Sequence, residues 1–172
     1  MKTLYHYTTV ETLLLILNYK TLRFKSLLYV DDPLEPSTSD FGNLGGFKYV
    51  SCWTDTPNSI PQWTMYSDNM TGVCIGISNE QRFSFQIFPL PIDLVLESMN
   101  TNKGDLTEII NSFISVKPKE YFDLDLNPTI FNNMTITFGK RCSAEDKLKV
   151  SKFLEDNKFH IPLFDSSVNI KP

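Results

Sequence analysis

The sequence predicts an α+β fold with a split, mainly antiparallel sheet flanked by helices. Stretches with the apolar and polar alternation of strands are concentrated in the middle of the chain. Apolar residues at helical spacing occur near both ends and once between them. The chain has 172 residues, 41% of them hydrophobic, which suits one packed core. We therefore expect a single domain over residues 1–172.

The first element is a strand that carries one of only two histidines. Bulky residues around His6 favour a strand. Thr8 and Glu11 form the pattern of a capping box, which predicts a helix from Val10 to about Tyr19. His6 then lies at the end of a strand just before a helix, where an imidazole can reach into a cleft. The alternative is a histidine that packs and hydrogen-bonds without doing chemistry.

The middle of the chain predicts short strands separated by turns. The alternation over 21–25 indicates a half-buried strand, and Asp31-Asp32-Pro33 after it favours a turn. A loop rich in Ser, Gly, Asp and Asn follows over 36–46. Three further strands are predicted, over 47–53, 72–77 and 83–88.

Two helices and two strands are expected in the second half. Helical spacing predicts a helix over 105–116, and residues 117–133 are expected to be loop or short strand. A strand over 134–138 precedes a helix capped by Ser143, and a strand over 159–164 closes the chain. The side chains expected on the buried side of this last helix are Leu148, Val150, Phe153 and Leu154.

Composition argues against several classes of function. A formal charge of −4 disfavours a broad phosphate-binding face, so we expect no DNA partner. The three cysteines are far apart in sequence, which is typical of reduced thiols in the cytoplasm. With two histidines and no C-x-x-C we expect no metal site. The longest apolar run, Leu13 to Leu17, is too short to cross a bilayer, and no signal peptide is present, so a cytoplasmic protein is expected.

Several residues are candidates for binding a ligand. Trp63 and Tyr66 are three residues apart, so they would either stack on a planar ring such as adenine or nicotinamide or close one end of the core. Arg23 lies on a predicted strand, where it would clamp a pyrophosphate or simply be an exposed sheet arginine. Ser51 would face a ribose or bond to backbone within the core. No G-x-S-x-G or Walker-type loop is present.

An ordered series of motifs resembles a widespread uncharacterised bacterial and phage domain family. That family reads L-Y-x-Y, N-D-P-x-E, W-x-x-Y with G-x-C-I, E-x-E-x-R, and a strand ending in Gly. Two departures stand out, because Asp31 replaces the usual Asn and E-x-E-x-R is absent. The matching stretches are Leu4-Tyr5-His6-Tyr7-Thr8, Leu22-Arg23-Phe24, Asp31-Asp32-Pro33-Leu34-Glu35, Val50-Ser51-Cys52-Trp53, Trp63-x-x-Tyr66, Gly72-Val73-Cys74-Ile75-Gly76 and Ile136-Thr137-Phe138-Gly139.

The family is in turn remotely similar to ADP-ribosyltransferases, in which a split sheet binds NAD. His6-x-Thr8 resembles the H-x-T of those enzymes, which implies that His6 holds the ribose beside nicotinamide and Thr8 steadies it. The resemblance also implies a stacking tyrosine, here Tyr66 or Tyr49. It implies a carboxylate as well, which stabilises positive charge on the sugar as the glycosidic bond loosens.

The acidic cluster Asp123-x-Asp125 stands near the place of the missing E-x-E-x-R. Asp125 is the first candidate for the catalytic carboxylate, Asp123 the second and Glu120 the third. Asp is one methylene shorter than Glu and would fall roughly 1 to 1.5 Å short, a misplacement that can cost about a hundredfold in rate. The alternative is a solvated loop with turn-forming residues.

The resemblance implies an NAD-binding protein that transfers ADP-ribose to a macromolecular target or consumes NAD in bacterial and phage conflict. A phage-encoded chain would act in the host cytoplasm. The alternative is a catalytically inactive member that binds a nucleotide or a partner protein as an inhibitor or sponge, which the missing E-x-E-x-R favours. A structural subunit without a pocket would leave His6, Tyr66 and Arg23 apart.

Overall fold

The fold is a mixed α+β arrangement, as the sequence predicts. A computed structural model describes residues 3–30, 48–78 and 119–169. The turn at Asp31-Asp32-Pro33, the loop over 36–46, the strand over 83–88 and the helix over 105–116 lie outside the described residues. The described elements are β1 (Thr3–Thr8), α1 (Val10–Tyr19), β2 (Thr21–Ser26), β3 (Tyr49–Val50), α2 (Ile60–Tyr66), β4 (Val73–Ser78), β5 (Tyr121–Asp125), β6 (Met134–Phe138), α3 (Ala144–Asp156) and β7 (Leu163–Asp165), with 3-10 helices at Leu27–Tyr29 and Pro128–Asn133.

The described residues group into two compact units. The first draws on Met1–Arg23, Ser51–Arg82 and Asp123–Pro172, and the second on Phe24–Val50 and Phe83–Phe122. The expected single domain over residues 1–172 stays a prediction. Among residues 3–30, 48–78 and 119–169, no helix has both the length and the apolar character that a membrane span requires.

A four-stranded sheet in the order β1-β4-β6-β7 belongs to the first unit. The pairs β1/β4 and β4/β6 are antiparallel, whereas β6 and β7 are parallel. Ile75 of β4 lies opposite His6 on one side and Ile136 on the other. Five of the six β4 residues are buried, as expected for a strand covered on both faces. The position of His6 is therefore fixed by the pairing of β1 with β4, the most buried of the described strands.

Strand β7 begins later than the predicted 159–164. Residues 157–159 end helix α3 instead, since Lys158 is left-handed (φ 57°) and the Phe159 N–H donates to the Leu154 carbonyl at 2.9 Å. Pairing with β6 starts only at Leu163. The strand prediction was wrong at its start because Phe159 belongs to the end of helix α3.

The second sheet has the order β3-β2-β5. Strand β2 confirms the alternation predicted for 21–25 and extends it to Ser26. Strand β3 is shorter than the predicted 47–53, because only Tyr49 and Val50 pair with β2. Farther on, Thr54 forms an isolated antiparallel bridge with Tyr5 of β1. The segment between them therefore departs from the predicted single strand.

Two helix predictions need correction in detail. Thr9 caps α1 by accepting from the Thr12 N–H at 3.2 Å, and the predicted cap, Thr8, is instead the last residue of β1, paired with Val73. Ser143 caps α3 as predicted. Its Leu148, predicted to be buried, is 69% exposed. Leu148 lies two residues before buried Val150, about 200° around the helix, and so faces away from the core.

A buried cluster of mainly aromatic and sulfur-containing side chains includes Tyr7 of β1, and we call it the aromatic cluster. It consists of Tyr7, Trp63, Met70, Cys74 and Val168. The Tyr7 and Trp63 rings meet edge to face with centroids 4.9 Å apart. Burial is the main reason that the pKa of Tyr7 and that of Cys74 each rise to about 12. Both groups are therefore neutral packing residues at pH 7.

The turn between α2 and β4 is held by a close backbone approach. Asp68, Asn69 and Met70 all have left-handed backbone angles, with φ between 49° and 72°. The Gly139 N–H donates to the Gly72 carbonyl at 2.9 Å, and the Arg141 N–H donates to the Met70 carbonyl at 3.0 Å. A Cβ on Gly139 would overlap the Met70 carbonyl oxygen. This contact requires glycine.

We expect Gly139→Ala to lower the free energy of unfolding by about 3 kcal/mol or more, because backbone atoms would have to move. Urea denaturation measures this. The control is Gly76→Ala, whose Cβ meets a side-chain atom, the Thr135 Oγ1, at 2.5 Å. Combining Gly76→Ala with Thr135→Ala should recover much of its cost. A Gly139→Ala protein as stable as the native chain would contradict the close approach.

Candidate functional site

Strand alternation places His6 and Thr8 on one face of β1, and Tyr5 and Tyr7 on the other. The Tyr7 face packs on the aromatic cluster. His6 is half-buried, and Thr8 is 7% exposed. Thus His6 is the member of the predicted His6-x-Thr8 pair with surface left for a ligand.

A segment distant in sequence lies along β1 and fixes the histidine ring. The Tyr5 N–H donates to the Thr54 carbonyl at 2.8 Å, and the Thr54 N–H donates to the Tyr5 carbonyl at 3.0 Å. The Cys52 carbonyl is thereby 2.9 Å from the His6 Nδ1. Because a carbonyl can only accept, Nδ1 must carry the proton. In the neutral ring this leaves Nε2 as a hydrogen-bond acceptor.

Burial lowers the pKa of His6 below 6.5, and the smaller opposing effect of the Cys52 carbonyl does not reverse this shift. His6 is therefore neutral at pH 7. No group in the described part of the chain hydrogen-bonds to its Nε2. A neutral imidazole of this tautomer can accept from a hydroxyl group but cannot donate to a phosphate through Nε2.

Trp53 packs against His6 and was not among the residues that the sequence predicted for the site. The two ring centroids are 5.1 Å apart and the ring planes are tilted by 32°. The Trp53 Nε1–H donates to the Ser51 Oγ at 3.1 Å. We call Ser51, Cys52 and Trp53 the 51–53 segment. The serine oxygen bonds to the indole that packs on His6, whereas the sequence predicted that Ser51 would face a ribose or bond to backbone.

The two predicted stacking residues both lie on helix α2 but differ in their exposure. Trp63 is 1% exposed within the aromatic cluster, so its ring presents no face to a ligand. Its Nε1–H has no hydrogen-bond partner among the described residues. Tyr66, at the end of α2, is 43% exposed. Of this pair, only Tyr66 offers an accessible ring.

Arg23 and Asp123, two candidates predicted for different roles, bind each other. The Arg23 Nε and Nη2 donate to the two Asp123 oxygens, each at 2.8 Å. The hydrogen bonds from Arg23 are the main reason that the pKa of Asp123 lies below its usual 3.8. Asp125 lies two residues farther along β5 and is also exposed. The pairing engages both the proposed pyrophosphate clamp and the second-choice carboxylate.

The remaining candidates lie in the second unit. Tyr49 is buried, its hydroxyl donates to the Lys119 carbonyl at 3.0 Å, and its ring meets Phe122 edge to face. Burial raises its pKa. Glu120 is exposed, and its backbone carbonyl accepts from the Ser26 N–H. Tyr49 is thus a packing residue of its unit.

The described structure brings the candidates together as two separate groups. His6 joins the 51–53 segment, and Arg23 joins Asp123. Within residues 3–30, 48–78 and 119–169, no hydrogen bond or ion pair connects His6 to either aspartate. The same ranges contain no group of three or more His, Cys, Asp or Glu side chains arranged to hold a metal ion.

No protein-family model, no curated protein and no solved structure matches this chain.

We expect the acid side of the stability profile to depend on His6. Its lowered pKa means that the unfolded chain binds a proton more readily, so stability is full above pH 6.5 and declines as the pH falls below 6.5. Urea denaturation over pH 5–8 measures this. His6→Asn keeps a donor toward the Cys52 carbonyl but does not titrate. Its profile should be flatter than the native one, and identical profiles would contradict the assignment.

We expect Arg23→Gln to return the pKa of Asp123 toward 3.8, because the main cause of its lowering is removed. The stabilisation from this pair is present above pH 3.8 and is lost as the pH falls through the lowered pKa. At pH 7 the variant should lose at most about 1 kcal/mol, since the pair is exposed. Carboxyl NMR titration measures the pKa. Arg141→Gln is the control, and an unchanged Asp123 pKa in Arg23→Gln would refute the pairing.

Proposed function

We propose that this chain is an NAD-binding domain of the ADP-ribosyltransferase type, acting on a macromolecular target or consuming NAD in conflict between bacteria and phage. The observation that carries the proposal is the state of His6. Its ring is neutral, its Nδ1–H is committed to the Cys52 carbonyl, and its Nε2 is left to accept. This is the chemistry needed to bind a sugar hydroxyl.

Three of the candidates would each make a different contact with a nucleotide that carries a ribose. His6 would accept a hydrogen bond from a ribose hydroxyl, Thr8 would support the end of β1, and the exposed ring of Tyr66 would stack on a planar base. When bound, NAD would supply the ADP-ribose and a nicotinamide leaving group. The chain would then need a carboxylate to stabilise positive charge on the sugar.

Asp125 is the residue that we propose for this charge. Asp123 is less suited, because both of its oxygens accept from Arg23 and its charge is compensated there. No such pair with Asp125 is found among the described residues. Asp125→Asn should therefore retain NAD binding and abolish the release of nicotinamide.

A second candidate function is binding without turnover. The pairing of Arg23 with Asp123 favours it, because the pairing removes one of the two carboxylates near the missing E-x-E-x-R. The chain would then hold a nucleotide or a partner protein, as an inhibitor or a sponge. If the chain holds a nucleotide, the native protein binds NAD without releasing nicotinamide and Asp125→Asn changes neither result. If it holds a partner protein, the native protein does not bind NAD.

The test is isothermal calorimetry of the native chain with NAD, followed by mass spectrometry of the same sample for released nicotinamide. We expect His6→Ala to abolish NAD binding, because it removes the only group assigned to the ribose hydroxyl. His160→Ala is the matched control, since His160 is an exposed histidine of the same chain. Equal affinity in the native and His6→Ala proteins would overturn the site. Absence of NAD binding by the native chain would overturn the proposed function.

A further inference from the structure

We propose that Trp53, oriented by Ser51, is the positioning residue that holds the imidazole of His6 with its Nε2 toward the ligand. The proposal rests on the proposed function for its ligand, although its structural part is tested without one. Trp53 itself need not touch the ligand. Trp53 thereby gains a role that the sequence did not predict, and Ser51 gains a role other than the predicted contact with a ribose.

A single hydrogen bond does not fix the orientation of the His6 ring. The Nδ1–H bond to the Cys52 carbonyl, at 2.9 Å, anchors one edge of the His6 ring. Rotation about the bond between Cβ and Cγ is otherwise soft, because such torsions have broad energy wells. His6 is also only half-buried, and among the described strands β1 pairs with β4 on one edge alone. A second contact is needed to fix the tilt of the ring.

Trp53 supplies that second contact. Its ring lies 5.1 Å from the His6 ring and is tilted by only 32°, so it limits rotation of the imidazole toward its own side. Both contacts come from adjacent residues, Cys52 and Trp53. The paired hydrogen bonds between Thr54 and Tyr5 hold these residues against β1. The carbonyl thus selects the tautomer and the indole restricts the ring plane.

Ser51 acts on Trp53. Its Oγ accepts from the indole Nε1–H at 3.1 Å, which restrains the orientation of the indole. Loss of that bond would loosen the contact between the indole and the imidazole. The role of Ser51 is therefore exerted through Trp53 and His6, two contacts removed from the ribose that the sequence predicted it to face.

The experiment uses nitrogen-15 NMR of the histidine ring in the full chain, with and without NAD. In the native protein we expect a protonated Nδ1 and a bare Nε2. Trp53→Leu should mix the two tautomers and weaken NAD binding by about tenfold to a hundredfold, as small misplacements of a binding group do. Trp53→Phe keeps a ring but loses the Nε1–H that bonds to Ser51, so it should shift the tautomer and weaken binding less than Trp53→Leu does. Ser51→Ala should shift the tautomer in the same direction as Trp53→Leu but less.

Amide exchange at Thr54 shows whether the segment stays on β1 in each variant, because its N–H donates to Tyr5. If Trp53→Leu opens this bridge, the tautomers of Ser51→Ala and Trp53→Phe decide whether the indole positions His6, because both variants keep an aromatic ring at position 53. A native tautomer in both Trp53→Leu and Ser51→Ala would overturn the positioning role. A shifted tautomer in a chain that does not bind NAD would retain the positioning role and reject the proposed function.

Discussion

The pairing of β1 with β4 is the interaction on which the rest of the site depends. Strand β4 is buried on both faces and pairs antiparallel on both sides, and a one-residue slip of β1 against it would turn Tyr7 out of the aromatic cluster. That register places His6 opposite Ile75 and leaves Tyr7 on the side of the aromatic cluster. The close approach of Gly139 to the turn before β4 fixes where this strand begins. The position of the histidine is therefore a consequence of core packing.

The chemistry of His6 is decided by a different, weaker set of contacts at the edge of the same sheet. Among the described strands β1 lies at the edge of its sheet, and the bridge between Tyr5 and Thr54 satisfies two of its backbone groups there. The same segment delivers a carbonyl and an indole to the imidazole. Core packing fixes the location of His6, whereas this edge segment fixes its tautomer. Substitutions in the segment can therefore alter binding while the fold survives.

Local patterns in the sequence predicted the helices and strands that are determined by the periodicity of their own residues. Alternation and helical spacing indicated β2, β4, β6, α1 and α3, because each element buries one regular set of side chains. The predicted cap at Thr8 was one residue early, since pairing with Val73 keeps Thr8 in the strand. The pattern identified His6 but could not identify Trp53. Trp53 acquires its role only when Thr54 pairs with Tyr5, 49 residues away along the chain, and no periodic pattern encodes that pairing.

A contact between residues far apart in the sequence also distinguishes the two aspartates, and it bears on what catalysis would require. Asp123 and Asp125 belong to one acidic cluster in the sequence, yet Arg23, 100 residues from Asp123, compensates the charge of Asp123. Asp125 is exposed, and an exposed carboxylate is screened by water, so its effect on a developing positive charge is small. Electrostatic stabilisation becomes large only when water is excluded. Catalysis by Asp125 therefore requires that the bound ligand itself cover this carboxylate, whereas binding through His6 has no such requirement.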